Sequence, residues 1–398
     1  METLQPKLRF PEFKDNWKLK SLGDIGEFVG GGTPSTSNDD FWNGDINWFT
    51  PTEIKKDYVD NSLRKISELG LQKSSAKLLP IGTILLTTRA TIGDVAIAIS
   101  KCTTNQGFQS LVTNKFNYNY FIFNWFKKSK HLLIEKANGS TFPEISKSAL
   151  EKITLFVPSL EEQTKIANFL SAVDERISLL KEKKTLLKDY KKGIMQKIFN
   201  QEIRFKDDNG NDFKEWEIKT LGEVGSVLNG LTYSPDDISE DGVLVLRSSN
   251  IKDNRLKFED NVYVNKNNFT AVVENDILIC VRNGSKNLIG KNTLITKEIE
   301  GVAFGAFMSV YRSNYNRYLI HWFGSNDFFE NVNLNLGATI NSINGSDLKK
   351  FKIPFPCTEE QTKIANFLSA IDEKIELVSN QIQDTQEYKR GLLQQMFA

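Results

Sequence analysis

Histidine and cysteine are scarce in this 398-residue chain, and neither sign of charge is in excess. The two histidines, His131 and His321, lie in amphipathic, aromatic-rich stretches without a nucleophile motif beside them, which argues against Ser-His-Asp or Cys-His catalysis and against a metal centre. Cys102, Cys280 and Cys357 are an odd number without CxxC spacing, so neither a disulfide framework nor a zinc ribbon is expected, and a reducing compartment fits. No apolar run approaches the roughly 20 residues that span a bilayer, and Met1 to Phe10 lacks the apolar core of a signal peptide. A cytoplasmic protein with no membrane partner is expected. The 51 basic and 50 acidic residues exclude a simple phosphate binder, so any affinity for nucleic acid must come from local patches or from partner subunits. Cofactor motifs are missing as well. Gly30-Gly31-Gly32 lacks GxGxxG spacing, and Gly284 to Gly290-Lys291-Asn292 has one residue too many for a P-loop and an asparagine where the magnesium-binding hydroxyl belongs.

What the chain has is an internal repeat. EEQTKIANFLSA at 161–172 recurs unchanged at 359–370, an offset of 198. The match extends through Val173-Asp174-Glu175 and Ile371-Asp372-Glu373, then resumes at Tyr190-Lys191-Lys192-Gly193 and Tyr388-Lys389-Arg390-Gly391. Upstream, residues 139–158 align with 337–356, and Trp17 with Leu22-Gly23 answers Trp216 with Leu221-Gly222. Between these anchors, residues 30–115 and 228–313 share little. A common frame with divergent inserts suits two domains that dock alike and read different things; the plain alternative is a duplication that drifted.

Each repeat ends in a helical segment. The first follows Pro158, with Ser159 and Glu162 spaced as a capping box; the second follows Pro356, with Thr358 and Gln361 at the same spacing. Apolar residues alternate in steps of four and three: Ile166, Leu170, Val173, Ile177, Leu180, Leu187, Ile194 and Ile198, then Ile364, Leu368, Ile371, Ile375, Val378, Ile382, Leu392 and Met396. This is a coiled-coil seam, interrupted by Lys184, Lys191, Thr385 and Lys389. Residues 161–200 carry nine basic and six acidic side chains, and 359–398 carry four and seven, so the two segments are complementary at +3 and −3. An antiparallel pair related by a pseudo-two-fold axis is expected; the alternative is that each helix folds back on its own domain. The fold class is therefore α+β: two domains with small mixed sheets, at 1–158 and 201–356, joined by helices at 159–200 and 357–398. At 1.5 Å per residue each helix would extend about 60 Å. If each domain read part of a DNA duplex, that length would cap the separation of the two parts at ~18 base pairs.

Two divergent domains, each followed by a P-x-x-E-E-Q-x-x-I-A helix, resemble the specificity subunits of type I restriction-modification systems, and the likeness covers the whole chain. The resemblance implies a non-catalytic subunit. Each domain would read one half of a bipartite site in double-stranded DNA, while the helices set the spacer and dock two methyltransferase subunits through Glu162, Gln163, Ile166, Glu360, Gln361 and Ile364. Adenine methylation with S-adenosylmethionine, and cleavage with ATP and Mg by two motor-nuclease subunits where the cell supplies them, would belong to partner chains. The competing reading is a coiled-coil adaptor that binds proteins only.

Base readout needs side chains that form paired hydrogen bonds in the grooves. The loop at 30–50 supplies Thr33, Ser35, Thr36 and Ser37, and the segment LLTTRATIGDVA supplies Arg89. Family domains often carry an Arg-x-x-Ile-Gly turn and an Asn-Gln-Gly turn, so Arg89 with Ile92-Gly93, and Asn105-Gln106-Gly107, are carried over on that resemblance. In the second domain LRSSNIKDNRL offers Arg247, Ser248, Asn250 and Lys252, and ICVRNGSKNLIGK offers Arg282, Asn283, Lys286 and Lys291. The Asn-Gln turn has no counterpart there. Five tryptophans, Trp17, Trp48, Trp125, Trp216 and Trp322, read as core, and Trp42 is open to either core or base stacking.

Overall fold

A computed structural model describes residues 5–137, 143–336 and 341–398, so the ends of the repeat at 139–142 and 337–340 lie outside the described residues. The chain forms two units: Met1–Lys181 with Asn380–Ala398, and Glu182–Ser379. Each long helix is therefore shared, giving its first half to one unit and its second half to the other.

Both units open on the same short antiparallel pair. Lys18–Ser21 lies against Thr154–Val157 in the first, and Glu217–Thr220 against Lys352–Phe355 in the second. The inserts then form mixed sheets. In unit 1 five strands run in the order Gly26–Gly30, Gln109–Thr113, Ile84–Leu86, Val95–Ala98, Tyr58–Val59. Beside them Trp42–Phe49 pairs antiparallel with Arg64–Ile66 and parallel with Cys102–Thr104. In unit 2 the first sheet has four strands, Ser226–Asn229, Met308–Arg312, Ile277–Cys280 and Asn292–Leu294. Its second sheet repeats the mixed pattern, with Ile238–Leu246 antiparallel to Tyr263–Val264 and parallel to Ala303–Phe304. Ile277–Cys280, a run of four apolar residues, is buried on both faces, as a central strand covered on two sides must be. All six tryptophans are buried, including Trp42, whose ring meets Trp48 edge-on while Arg64 lies over it.

The long helices, Leu160–Phe199 and Thr358–Gln395, bear out the seam. In unit 1 Ile166, Leu170, Val173 and Ile177 share a core with Leu392, Leu393, Met396 and Phe397. In unit 2 Met195, Ile198 and Phe199 meet Ile364, Leu368 and Ile371. The start of one helix thus packs on the end of the other, an antiparallel coiled coil, and the same residues also cover the domain cores. At roughly 1.5–3 kcal/mol for each fully buried aliphatic side chain, this seam is a major source of stability. The polar interruptions are partly filled by ion pairs: Lys191 Nζ donates to both Asp372 oxygens at 2.6 Å, and Lys389 Nζ to both Asp174 oxygens at 2.6 Å. The two bridges are copies of each other at the repeat offset, and they favour one register of the coil.

The helix starts differ from the capping boxes read in the sequence. Ser159 Oγ does accept from the Glu162 backbone N–H at 3.3 Å, but the Glu162 carboxylate turns away from the cap. It accepts from Arg9 Nε at 2.7 Å and from Trp17 Nε1 at 3.3 Å. In the second copy Thr358 is already helical, and Glu360 accepts from Trp216 Nε1 at 2.7 Å and from Arg204 Nη2 at 3.0 Å. A carboxylate buried this deeply needs a cationic partner, and a charge-assisted bond to Arg outcompetes a reach back to the cap. Gln163 and Gln361 serve the same joint, donating to the carbonyls of Pro158 and Pro356.

Candidate nucleic-acid interface

The six residues expected to dock partner subunits do not form a free surface. Glu162, Gln163, Ile166, Glu360, Gln361 and Ile364 are all buried, and the four polar ones spend their hydrogen bonds inside their own unit. Much of the identity between the two motifs fastens each helix to the segment that precedes its own domain. The Arg9 and Arg204 guanidiniums that complete this joint are held above their ordinary pKa by the hydrogen bond to the glutamate.

The expected DNA-reading residues fare better, because the fold gathers most of them at one loop cluster in each unit. In unit 1 the hairpin between Ile84–Leu86 and Val95–Ala98 carries Arg89 at its tip. Thr88 N donates to Gly107 O at 2.8 Å, which seats the Asn105-Gln106-Gly107 turn against that tip. Gly32 N donates to Thr104 O at 2.8 Å and brings in the third loop, where Thr33 Oγ1 donates to Gln106 Oε1. A Cβ on Gly31 would lie 1.9 Å from Asn105 O, so only glycine permits this approach. Asn105 itself is turned inward, its Oδ1 accepting from Gly107 N at 2.8 Å, whereas Gln106 is exposed. Ser35 and Thr36 are also exposed, on the outer part of the loop, with Ser35 and Ser37 sharing a hydrogen bond.

Unit 2 repeats the construction with other side chains. Its hairpin, between Ile277–Cys280 and Asn292–Leu294, is longer, and Gly290 takes the left-handed φ of +84° that Gly93 takes in unit 1. Val281 and Arg282 N–H groups both donate to Phe307 O, and Leu231 N donates to Phe304 O at 2.7 Å. Gly230 repeats the close approach, since a Cβ there would lie 2.1 Å from Gly305 O. Asn283 Nδ2 donates to Ser248 Oγ at 3.1 Å and Lys291 Nζ to Ser248 O at 3.1 Å, so the two loops expected to read DNA meet. Arg282 is exposed beside the Phe307 ring, and Lys286 is exposed on a single 3-10 turn.

One expectation needs correction here. Asn250 is fully buried and donates to Lys257 O at 3.0 Å, bracing its loop from inside where no base can reach it. Arg247 is half-buried, and its Nη2 is paired with Asp260 at 2.9 Å. Three neighbours of the readers had no motif to flag them: Glu144, which pairs with Arg89 at 2.8 Å, Phe307, and Asn341, which donates to Gly284 O. All three come from segments far away in sequence, and only the closing of the sheet sets them beside the hairpin tips. The Arg89 turn is also strained, because Ala90 adopts φ +59°, a conformation that costs an L-residue roughly 1–2 kcal/mol.

Two titratable groups lie deep in the cores. His321 is buried and held down to about pKa 3, chiefly by burial and then by nearby Lys191. Burial pushes the Cys102 thiol up to about 12. Among the described residues no group of His, Cys, Asp and Glu is placed to hold a metal, and no helix is long and apolar enough to cross a membrane.

Two copies of one frame, each presenting a divergent polar loop cluster, define a recognition protein that reads two different features from a common scaffold. The model of the type I restriction modification DNA specificity domain matches residues 14–189 and again 213–386, and the chain belongs to that family. Among relatives in Methanocaldococcus jannaschii, the type I restriction enzyme MjaIX specificity subunit is 37% identical over 54% of this chain and 53% of its own length. The MjaVIII specificity subunit is 24% identical over 97% of this chain and 92% of its own. The chain thus spans about half of the first relative and nearly all of the second. The fold resembles the type I restriction-modification S subunit from M. genitalium, with a TM-score of 0.56, 16% identity and 99% of each chain covered. It also resembles a chain from a structural study of complex assembly in a type I R-M system, with a TM-score of 0.60, 18% identity and 96% and 97% covered.

Proposed function

We propose that this chain is the subunit that gives a type I restriction-modification complex its DNA sequence specificity, each unit reading one half of a split double-stranded site. Target recognition falls to residues 1–158 and 201–356, and the helices at 159–200 and 357–398 form the frame that sets the spacer. The observation that carries this reading is the repeated loop cluster, alike in backbone linkage and different in side chains. A shared frame fixes how both units approach the duplex, and the divergent side chains allow each to select its own bases. Adenine methylation from S-adenosylmethionine, and cleavage driven by ATP and Mg where motor-nuclease subunits are present, belong to partner chains.

The repeat also supports where two methyltransferase subunits bind. The buried half of EEQTKIANFLSA serves the joint described above, but Glu161, Asn168 and their copies Glu359, Asn366 are exposed. Packing among the described residues asks little of those four side chains. Their identity is accounted for by a second demand, two copies of one partner meeting the same outward face. The deciding experiment is methylation-aware sequencing of DNA from cells expressing this chain with its candidate methyltransferase, against cells expressing the methyltransferase alone. A split methyl-adenine motif with a fixed spacer, present only with this chain, is expected. The same pattern in both samples would put the protein-only adaptor in its place.

A further inference from the structure

The two hairpin tips carry an arginine each, Arg89 and Arg282, and they differ in one neighbour. In unit 1 the segment at Glu144-Ile145 is tied to the hairpin by Ile145 N donating to Thr88 O at 3.3 Å, and Glu144 reaches the Arg89 Nη2 at 2.8 Å. In unit 2 Ile343 N donates to Val281 O at 2.8 Å in the same way, but Ser342 stands where Glu144 would. Among the described residues no carboxylate pairs with Arg282, which lies beside Phe307 with Lys286 on the same loop.

The geometry points to Glu144 as a specificity-determining residue, a positioning group that holds Arg89 for a guanine in the half-site of unit 1. This rests on the reading of the loop clusters as DNA-contacting. The physical case has three parts. A carboxylate on one edge of a guanidinium fixes its plane and leaves the remaining N–H groups for the paired contact with guanine O6 and N7 that specific recognition uses. The same carboxylate cancels the charge that would draw the tip to any phosphate, so Arg89 gains little from sequence-independent binding. The left-handed Ala90 next in the chain sets Arg89 at a sharp turn, with both partners about half exposed and accessible to a base edge. Arg282, with no acid against it among the described residues, is the phosphate-anchoring counterpart.

The test is motif sequencing and salt-dependent DNA binding of the complex of full-length chain with its methyltransferase. Arg89→Ala and Arg89→Lys are both expected to relax one G·C pair in one half of the motif by about ten-fold or more, because a lysine lacks the fork. The other half should be unchanged. Glu144→Gln is expected to lower discrimination at that same pair while steepening the dependence of log affinity on log salt by about one, the sign of one more phosphate contact. A structural brace alone would not steepen it. Full rescue by Arg89→Lys, or a uniform loss across all sequences with no relaxed position, would overturn the proposal. Absence of any split motif with the unaltered chain would instead overturn the specificity-subunit reading itself.

Discussion

The carboxylate that closes the helical seam has a different neighbourhood in each unit. Asp174 of unit 1 receives Lys389 and also the Tyr120 hydroxyl, and Tyr120 stacks on Tyr58 from the edge strand. Its counterpart Asp372 receives Lys191, with buried His321 3.9 Å away and Ser369 beside that ring. Around Asp372 the surface opens into a groove of about 940 Å³, whose rim includes Lys188, Lys192, Arg255 and Glu376. The frame is the same and the filling is not. What the duplication kept are the buried polar joints, where removing one partner strands a charge; what drifted are positions where many side chains pack equally well.

The sharpest way to break this comparison is to cut the joint itself. Glu162→Ala leaves Arg9 and Trp17 without their acceptor and should cost about 3–5 kcal/mol. Glu360→Ala should cost less, because Arg204 is the more exposed of the two arginines. Thermal unfolding with limited proteolysis would show which unit opens first, and equal losses in both would refute the ranking. Acid should separate the units next. His321 is neutral when folded down to about pH 3, whereas unfolded histidine takes a proton near 6.5, so unit 2 loses stability as pH falls through that window. The loss approaches about 1.4 kcal/mol per pH unit within it. His321→Asn should flatten this dependence, and unit 1 has no buried histidine to produce it, since His131 is exposed.

A smaller contrast concerns the seam carboxylates. Asp174→Asn, which affects the buried Lys389 and Tyr120 together, should destabilise by about 2 kcal/mol, against about 1 for Asp372→Asn beside the more exposed Lys191. Denaturant midpoints of the two variants measure the gap. The smallest effect has the opposite sign: Gly193→Ala should stabilise by about 0.5–1 kcal/mol, because nothing lies within 4 Å of the added carbon in a helix interior. Loss of methyltransferase binding in that variant would mean that the glycine serves a partner's close approach.

Local periodicity made the helices legible: seam residues recur in steps that only a coiled coil explains, and Ile166, Leu170, Ile364 and Leu368 are where they were expected. The fate of Glu162 was not legible from its own surroundings, because a capping box is a short-range pattern and Arg9 lies 153 residues away. A signal was nonetheless present in the paired Arg9-Phe10 and Arg204-Phe205 ahead of each tryptophan. Phe10 packs edge-on to Phe169 and Phe205 to Phe367, so the duplication reached further upstream than the tryptophans. The loops were legible as loops. Which side chains point outward was not, since Asn250 and Gln106 look alike in sequence and only the closed sheet buries one and exposes the other.

Unit 1 draws Leu392, Leu393, Met396 and Phe397 into its core although they follow the whole of unit 2 in the chain. During synthesis from the N-terminus, the unit that begins first is therefore completed last. Until those residues emerge, Ile166, Leu170 and Phe121 lack their covering, and the nascent chain carries an open apolar face while its second half is already able to close. Trimming the last turns of the second helix would accordingly injure the reading of the first half-site.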